Sequence, residues 1–400
     1  MLSEKAEKAS RITYVVIAYF GLFVIAVTAT LMGPAFPSVM EQFHVPFGLV
    51  GVLASAWSLG YLLTSVGGML SDRYGELTVI GVSFAVTGIA AGLVSVAPSF
   101  EALICLFLLG GIGAALGEAA MNPLISKMYP ERSGFALNLL HFFFSLGAFF
   151  GPVFAGLMIA HYENWRLPFS VSSLAFIPLV VLTGITLRKS RPTKAREKDS
   201  IAESSSESSL GEIFMRGRLL ALAGFFYLGT ELATSVWLPT FLSLERNLPI
   251  ELASIASGLF WAAMAGGRLA LGSVTDRFGY KRIIMLCSVL GTLLIVMGAV
   301  AENAYLLIVL WSILGFVFGP IMPTIFAWVS KLFPSRRGTA TGIIYSTAFL
   351  GAVFLPWILG ALAQLYSMSI AIFFLAFSAL AICLSILPFR SEQHETAVRS

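Results

Sequence analysis

The chain has 400 residues, 58% of them hydrophobic and 12% charged, against roughly 45–50% and 25% in soluble domains. No water-soluble fold of this length hides that much apolar surface. The formal net charge of +4 is explained below by membrane orientation and needs no nucleic-acid partner, and the absence of a metal-ligand cluster, nucleophile motif or P-loop argues against an enzyme.

Apolar runs near the roughly 20 residues that a spanning helix needs lie at about 12–33, 47–70, 77–97, 102–124, 136–160 and 167–187, then at 218–242, 251–273, 282–301, 304–327, 338–363 and 368–388. Their internal Gly and Pro are tolerated in membrane helices, and their length excludes the short alternating strands of a barrel. The fold class is therefore all-α integral membrane, with twelve transmembrane helices. Residues 1–187 form a first six-helix bundle, 188–217 a polar linker that is Ser- and Glu-rich at 203–209, and 218–400 a second bundle.

Lys5, Lys8, Arg11, Arg73, Lys127, Arg132, the cluster from Arg188 to Lys198, Arg216, Arg218, Arg277, Lys281, Arg282, Lys331, Arg336, Arg337, Arg390 and Arg399 share one side, while the opposite loops hold Arg166 and Arg246. That bias places the first side, with both termini, in the cytoplasm. Lacking any N-x-[ST] acceptor, the chain fits a prokaryotic plasma membrane. Cys105, Cys287 and Cys383 fall inside spans, so no disulfide framework is expected. The first run is too long for a signal-peptide core, and no cleavage is expected.

The pattern G-x-x-x-D-R-[YF]-G occurs twice, at Gly68–Gly75 and Gly272–Gly279, 204 positions apart. The same offset relates Trp57 to Trp261, Lys127 to Lys331, Arg132 to Arg336, Gly147 to Gly351 and Pro152 to Pro356. A constant offset means tandem duplication, and two parallel halves in a membrane describe an alternating-access transporter of two pseudo-symmetric bundles. Gly68 and Gly272 allow close helix contact. Asp72 sits at a helix end where Arg132 or a helix N-terminus can meet it. Together with Arg73, Gly75, Asp276, Arg277 and Gly279 these residues are the expected cytoplasmic gate; the plainer alternative is a tight turn with orientation charges.

Three formally charged residues lie deep within runs: Glu118, Glu231 and Arg268. Each costs from about 2.5 to more than 10 kcal/mol at the bilayer centre, so each must face a cavity or a partner. Glu118 and Asn122 are four apart and share a helix face. Glu118 is the first candidate for proton coupling; the alternative is a structural acid held by amides or hydroxyls. Glu231 shares a face with Tyr227 and Ser235, and a pair with Arg268 requires that their depths match. Such a pair serves substrate, coupling or structure alone. Asn138, His141 and Ser145 line one face of the fifth run. His141 is either a proton relay or a packing and substrate residue. Trp57, Tyr61, Trp237, Trp261 and Tyr345 add aromatic surface suited to the apolar face of a sugar, and Trp165, Trp311 and Trp357 suit interfacial anchoring.

The repeated motif resembles that of the major facilitator superfamily, and the resemblance covers all twelve runs. The first copy carries Glu76 where a basic residue is usual, while the second keeps Lys281 and Arg282. Narrower strings are Glu118-Ala119-Ala120-Met121-Asn122-Pro123, Leu137-Asn138-Leu139-Leu140-His141, Phe260-Trp261 with Gly267-Arg268, and Gly319-Pro320-Ile321-Met322-Pro323. They resemble the fucose permease-like branch of sugar:proton symporters. That resemblance implies proton-coupled sugar uptake with Glu118 as a coupling residue. It also implies an acidic residue in the first span, where this chain has Thr28, Thr30 and Gly33 and no carboxylate.

The expected function is therefore a secondary transporter of a small polar solute, with substrate contacts at Asn122, Asn138, His141, Tyr227, Glu231, Trp261, Arg268 and Tyr345. Glu231 and His141 stand behind Glu118 as proton sites. Its expected partners are the solute, protons (or sodium) and the lipid bilayer; no cofactor is expected, and the protein is expected to be a monomer. Gly147, Gly151, Pro152 and Gly156 resemble part of an antiporter pattern, which makes proton-coupled export of a drug or metabolite the alternative. A membrane sensor that binds solute without transport is the third reading.

Overall fold

The computed structural model describes residues 2–189, 210–334 and 336–389, so most of the linker lies outside the described residues. Among the described residues the secondary structure is helical, with no strand. Twelve helices among the described residues are long and apolar enough to cross a membrane. Spans 1 to 6 are Arg11–Phe43, Phe47–Tyr74, Glu76–Val94, Phe100–Met128, Phe135–Tyr162 and Leu167–Lys189. Spans 7 to 12 are Met215–Glu245, Ile250–Leu271, Tyr280–Val300, Ala304–Leu332, Thr339–Leu365 and Met368–Ile386.

Several spans are broken where the sequence loosens them. Span 1 turns at Leu31, ahead of Gly33 and Pro34, and span 2 passes through a tight turn at Tyr61–Leu63 just after Gly60. Span 10 stops at Phe318 and restarts at Ile321, where Pro320 lacks the N–H that a continuous helix would use.

The duplication is written into the backbone. Gly75 and Gly279, 204 positions apart, have φ of 85° and 84°, a region that residues with a Cβ enter only with strain. Gly147 of span 5 packs directly on the Phe23 carbonyl of span 1, and its counterpart Gly351 of span 11 on the Phe225 carbonyl of span 7. Likewise Gly111 meets the Trp57 carbonyl and Gly315 the Phe260 carbonyl. None of these four has room for a Cβ, so close backbone approach holds each half together.

The two halves meet along spans 2 and 11 and along spans 5 and 8. At the end away from the basic loops they touch. Gly48 N–H donates to Gln364 Oε1 at 3.1 Å, Ser55 Oγ donates to the Val353 carbonyl at 2.5 Å, and a Cβ on Gly51 would lie 3.0 Å from Trp357 Cα. At the basic end the same two spans part: among the described residues, nothing lies within 4 Å of a Cβ built on Gly68 of span 2 or on Gly342 of span 11. The molecule is closed at one end and open at the other.

Three tryptophans differ from expectation. Trp311 is 1% exposed and Trp165 5%, so neither anchors at a lipid interface. Trp165 donates to Gln42 Oε1 at 2.7 Å, and Trp311 packs against Phe241 and the face of Gly298. Trp237 sits at the closed end, where its Nε1 donates to the Pro356 carbonyl at 2.9 Å and its ring meets Phe36. The two arginines of the opposite loops have local work as well. Arg166 donates to the Ser95 and Ala97 carbonyls at 3.2 and 3.0 Å, and Arg246 to the Ala301 carbonyl at 2.9 Å. Each cation thus sits at a helix C-terminus, where the orphan carbonyls favour it.

Candidate transport site

Between the halves lies one large cavity of about 660 Å³, framed by residues of spans 1, 2, 4, 5, 7, 8, 10 and 11. Glu118, Asn138, His141, Tyr227, Glu231, Trp261, Arg268 and Tyr345 all line it. Eight of the residues expected from the sequence thus converge on one space. Asn122 does not. Its Nδ2 turns back to donate to the Glu118 carbonyl at 2.9 Å, so the shared helix face carries the amide into its own backbone instead of the cavity.

The two carboxylates are held in different ways. Glu231 of span 7 is 4% exposed and has Arg268 Nη2 3.6 Å from its Oε1. The depths of spans 7 and 8 therefore match, despite the position of Arg268 toward the basic end of its span. Arg268 reaches further: Nη1 donates to Ser145 Oγ of span 5 at 3.2 Å, which joins the two halves. Glu118 of span 4, 6% exposed, has no ion-pair partner among the described residues. Its Oε1 accepts from Tyr345 Oη of span 11 at 3.1 Å, and Tyr61 of span 2 faces the same carboxyl. One glutamate thus has a counter-ion, and the other has phenols.

Aromatic surface frames these groups. Tyr61 stacks on Phe349 with centroids 4.6 Å apart, and Phe144 meets Trp261 at 6.0 Å; both contacts cross between halves. Trp261 Nε1 donates to Ser235 Oγ at 2.8 Å, which fixes the indole as a wall. The Tyr61–Phe349 stack has no counterpart in the sequence reading, because one apolar ring among many carries no signal of its own.

The expected gate residues lie at the open end. Asp72 and Arg73 are exposed, as is Arg132 in the short turn Pro130–Arg132, and no ion pair joins Asp72 to Arg132 among the described residues. Glu76, the departure from the usual motif, is ion-paired with Lys127 of span 4. Of Gly272, Asp276 and Arg277 only the helical backbone is described. Among the described residues, no three His, Cys, Asp or Glu side chains group to hold a metal ion.

Two six-helix halves around a central polar-and-aromatic cavity, closed at one end, define a membrane transporter of the alternating-access class. The comparisons with known proteins agree. The family model of the Major Facilitator Superfamily matches residues 18–275 and 247–399, and the chain belongs to that superfamily. It is a multi-pass membrane transporter of small molecules and not an enzyme. Its relatives include the uncharacterised MFS-type transporter YfkL of Bacillus subtilis, 24% identical over 86% of this chain and 88% of YfkL. The sodium-dependent glucose transporter 1 of Xenopus laevis is 25% identical over 84% of this chain and 73% of its own. The fosmidomycin resistance protein of Escherichia coli is 25% identical over 78% and 77%. Among solved structures, a mutant of the nucleoside transporter NupG superposes with a TM-score of 0.78 at 14% identity, covering 94% of this chain and 99% of NupG.

Proposed function

We propose that this protein imports a small neutral polar solute of the sugar class together with protons, by alternating access. It acts as a monomer in a prokaryotic plasma membrane, with the basic end and both termini in the cytoplasm. The domain division at residues 188–217 belongs to the same reading. The observation that carries it is Glu118: a buried carboxylate facing the cavity with hydroxyl partners and no cation. A carboxylate removed from water without a counter-ion is a group that exchanges a proton. Glu231, beside Arg268, stays charged through the cycle and orients solute. Asn138 and His141 offer hydrogen bonds, and Trp57 and Trp261 offer flat walls for the apolar face of a ring. With the basic end cytoplasmic, the open end faces inward.

Export of a drug or metabolite in exchange for protons is the second reading. It is supported by the aromatic lining of the cavity, by the tight fit of Gly147 and Gly151 of span 5 against span 1, and by the likeness to the fosmidomycin resistance protein. Uptake of a panel of labelled neutral sugars into right-side-out vesicles tests the proposal, under an imposed proton gradient, a sodium gradient or none. At least one sugar should accumulate only when the outside is acidic. Accumulation driven by sodium alone would replace the coupling ion, and no accumulation of any sugar under any gradient would contradict the proposal.

A further inference from the structure

Two polar links cross the cavity from one half to the other. Arg268 Nη1 donates to Ser145 Oγ at 3.2 Å, and Tyr345 Oη donates to Glu118 Oε1 at 3.1 Å. They differ in kind. The acceptor of the first is a hydroxyl, which does not titrate. The acceptor of the second is a carboxylate oxygen, which loses its charge when the group binds a proton. A hydrogen bond to an ionised acceptor is roughly twice as strong as one between neutral groups. Loading Glu118 with a proton therefore weakens this link and leaves the other untouched.

We propose that Tyr345 is the residue through which the protonation of Glu118 is felt by the opposite half: a positioning residue that converts proton binding into a change in how the halves sit. The inference rests on Glu118 being the proton site. Its surroundings fit. Tyr345 is locked as a ring by Phe349 at 4.9 Å and Phe326 at 5.5 Å, so its hydroxyl is presented from a fixed wall of span 11. Phe349 in turn stacks on Tyr61, the other phenol facing Glu118. Movement at the carboxylate is thereby passed into span 11 by two routes, one polar and one aromatic.

The other groups around Glu118 do not substitute for this contact. Span 3, packed on span 4, presents the hydroxyls of Ser83 and Thr87 beside Gly117 and Gly113. Glu76 at its basic end is taken by Lys127. Span 1 offers Ile25 at Gly117, and its Tyr19 Oη donates to the Ala136 carbonyl. His141 of span 5, Glu231 of span 7 and Arg268 of span 8 share the cavity, but Arg268 is engaged by Glu231 and Ser145. A two-state equilibrium moves only by the difference in how a ligand binds the two states. The proton supplies that difference here by turning a charged acceptor into a neutral one, which weakens the bond from Tyr345 that one arrangement of the halves relies on.

The experiment needs no substrate. Full-length protein with Cys105, Cys287 and Cys383 replaced by Ser carries spin labels at Phe135 and Phe278, two exposed positions at the basic ends of the two halves. The distance distribution between them is read in liposomes across a pH series. The parent should show a pH-dependent shift, and Glu118→Gln should abolish it. Tyr345→Phe, which keeps the ring and removes the hydroxyl, should abolish it too, while Ser145→Ala should retain it. A parent shift that Glu118→Gln removes and Tyr345→Phe leaves intact would overturn the role of Tyr345 while the proton role of Glu118 stands. A shift that survives Glu118→Gln, or no shift in the parent, would overturn both.

Discussion

Glu118 and Glu231 are both buried acids on the walls of one cavity, one in each half, yet their partners differ in kind. Glu231 has the Arg268 guanidinium 3.6 Å away, and Glu118 has Tyr345 and no cation. In the pair, opposite charges lie side by side, so the cost of burying them is shared. Under the proposed function the lone acid avoids the cost of a buried charge by binding a proton, and it passes through both states as the proton moves. The duplication explains how the halves came to share glycine contacts and turns. The site itself is asymmetric, because Glu118 and Glu231 are not related by the 204-residue offset.

The largest test of this contrast is one of stability. Removing one partner of a buried pair strands the other charge and costs about 3–5 kcal/mol. Because the Arg268 side chain is 24% exposed, Arg268→Met should lie near the low end, about 3 kcal/mol. Glu118→Gln keeps an acceptor for Tyr345 and should cost less than about 1 kcal/mol. Thermal unfolding in detergent measures both, and adding Glu231→Gln to Arg268→Met should recover most of the loss, as coupled neighbours do. A costly Glu118→Gln beside a harmless Arg268→Met would reverse the assignment of the two acids.

A smaller effect checks the part of the comparison where the halves agree. Gly75→Ala and Gly279→Ala each force a Cβ into a backbone conformation that suits glycine, costing about 1–3 kcal/mol. With φ of 85° and 84°, the two losses should match within the error of the unfolding measurement. Tolerance of one substitution and intolerance of the other would show that the two turns are under different strain.

Much of the fold was legible because hydrocarbon is an unforgiving solvent. Every span has to be long and apolar, and the turn of the duplicated motif keeps its glycine in both halves, so twelve runs and Gly75 with Gly279 could be read directly. Glu118, Glu231 and Arg268 were legible for the same reason, as charges that apolar runs do not carry without purpose. Contacts between distant helices were not. The Tyr345–Glu118 bond joins residues 227 apart, and helical spacing says nothing about which face meets which partner. Spacing also misled at Asn122, where an amide four residues from Glu118 satisfied itself on its own backbone. Trp311 and Trp165 were misplaced because a tryptophan near a span end reads alike whether it faces lipid or a neighbouring helix.

The contrast between the acids is tested most directly by separating net transport from exchange. In proteoliposomes supplied with a sugar that the vesicle panel identifies, Glu118→Gln should abolish accumulation driven by a proton gradient. Counterflow, the exchange of labelled for unlabelled sugar, should persist, because a neutral loaded carrier still switches between its faces. Glu231→Gln should impair both together, since it disturbs the solute's own contacts. Accumulation by Glu118→Gln at the parent level would contradict the account and move proton coupling to Glu231 or His141.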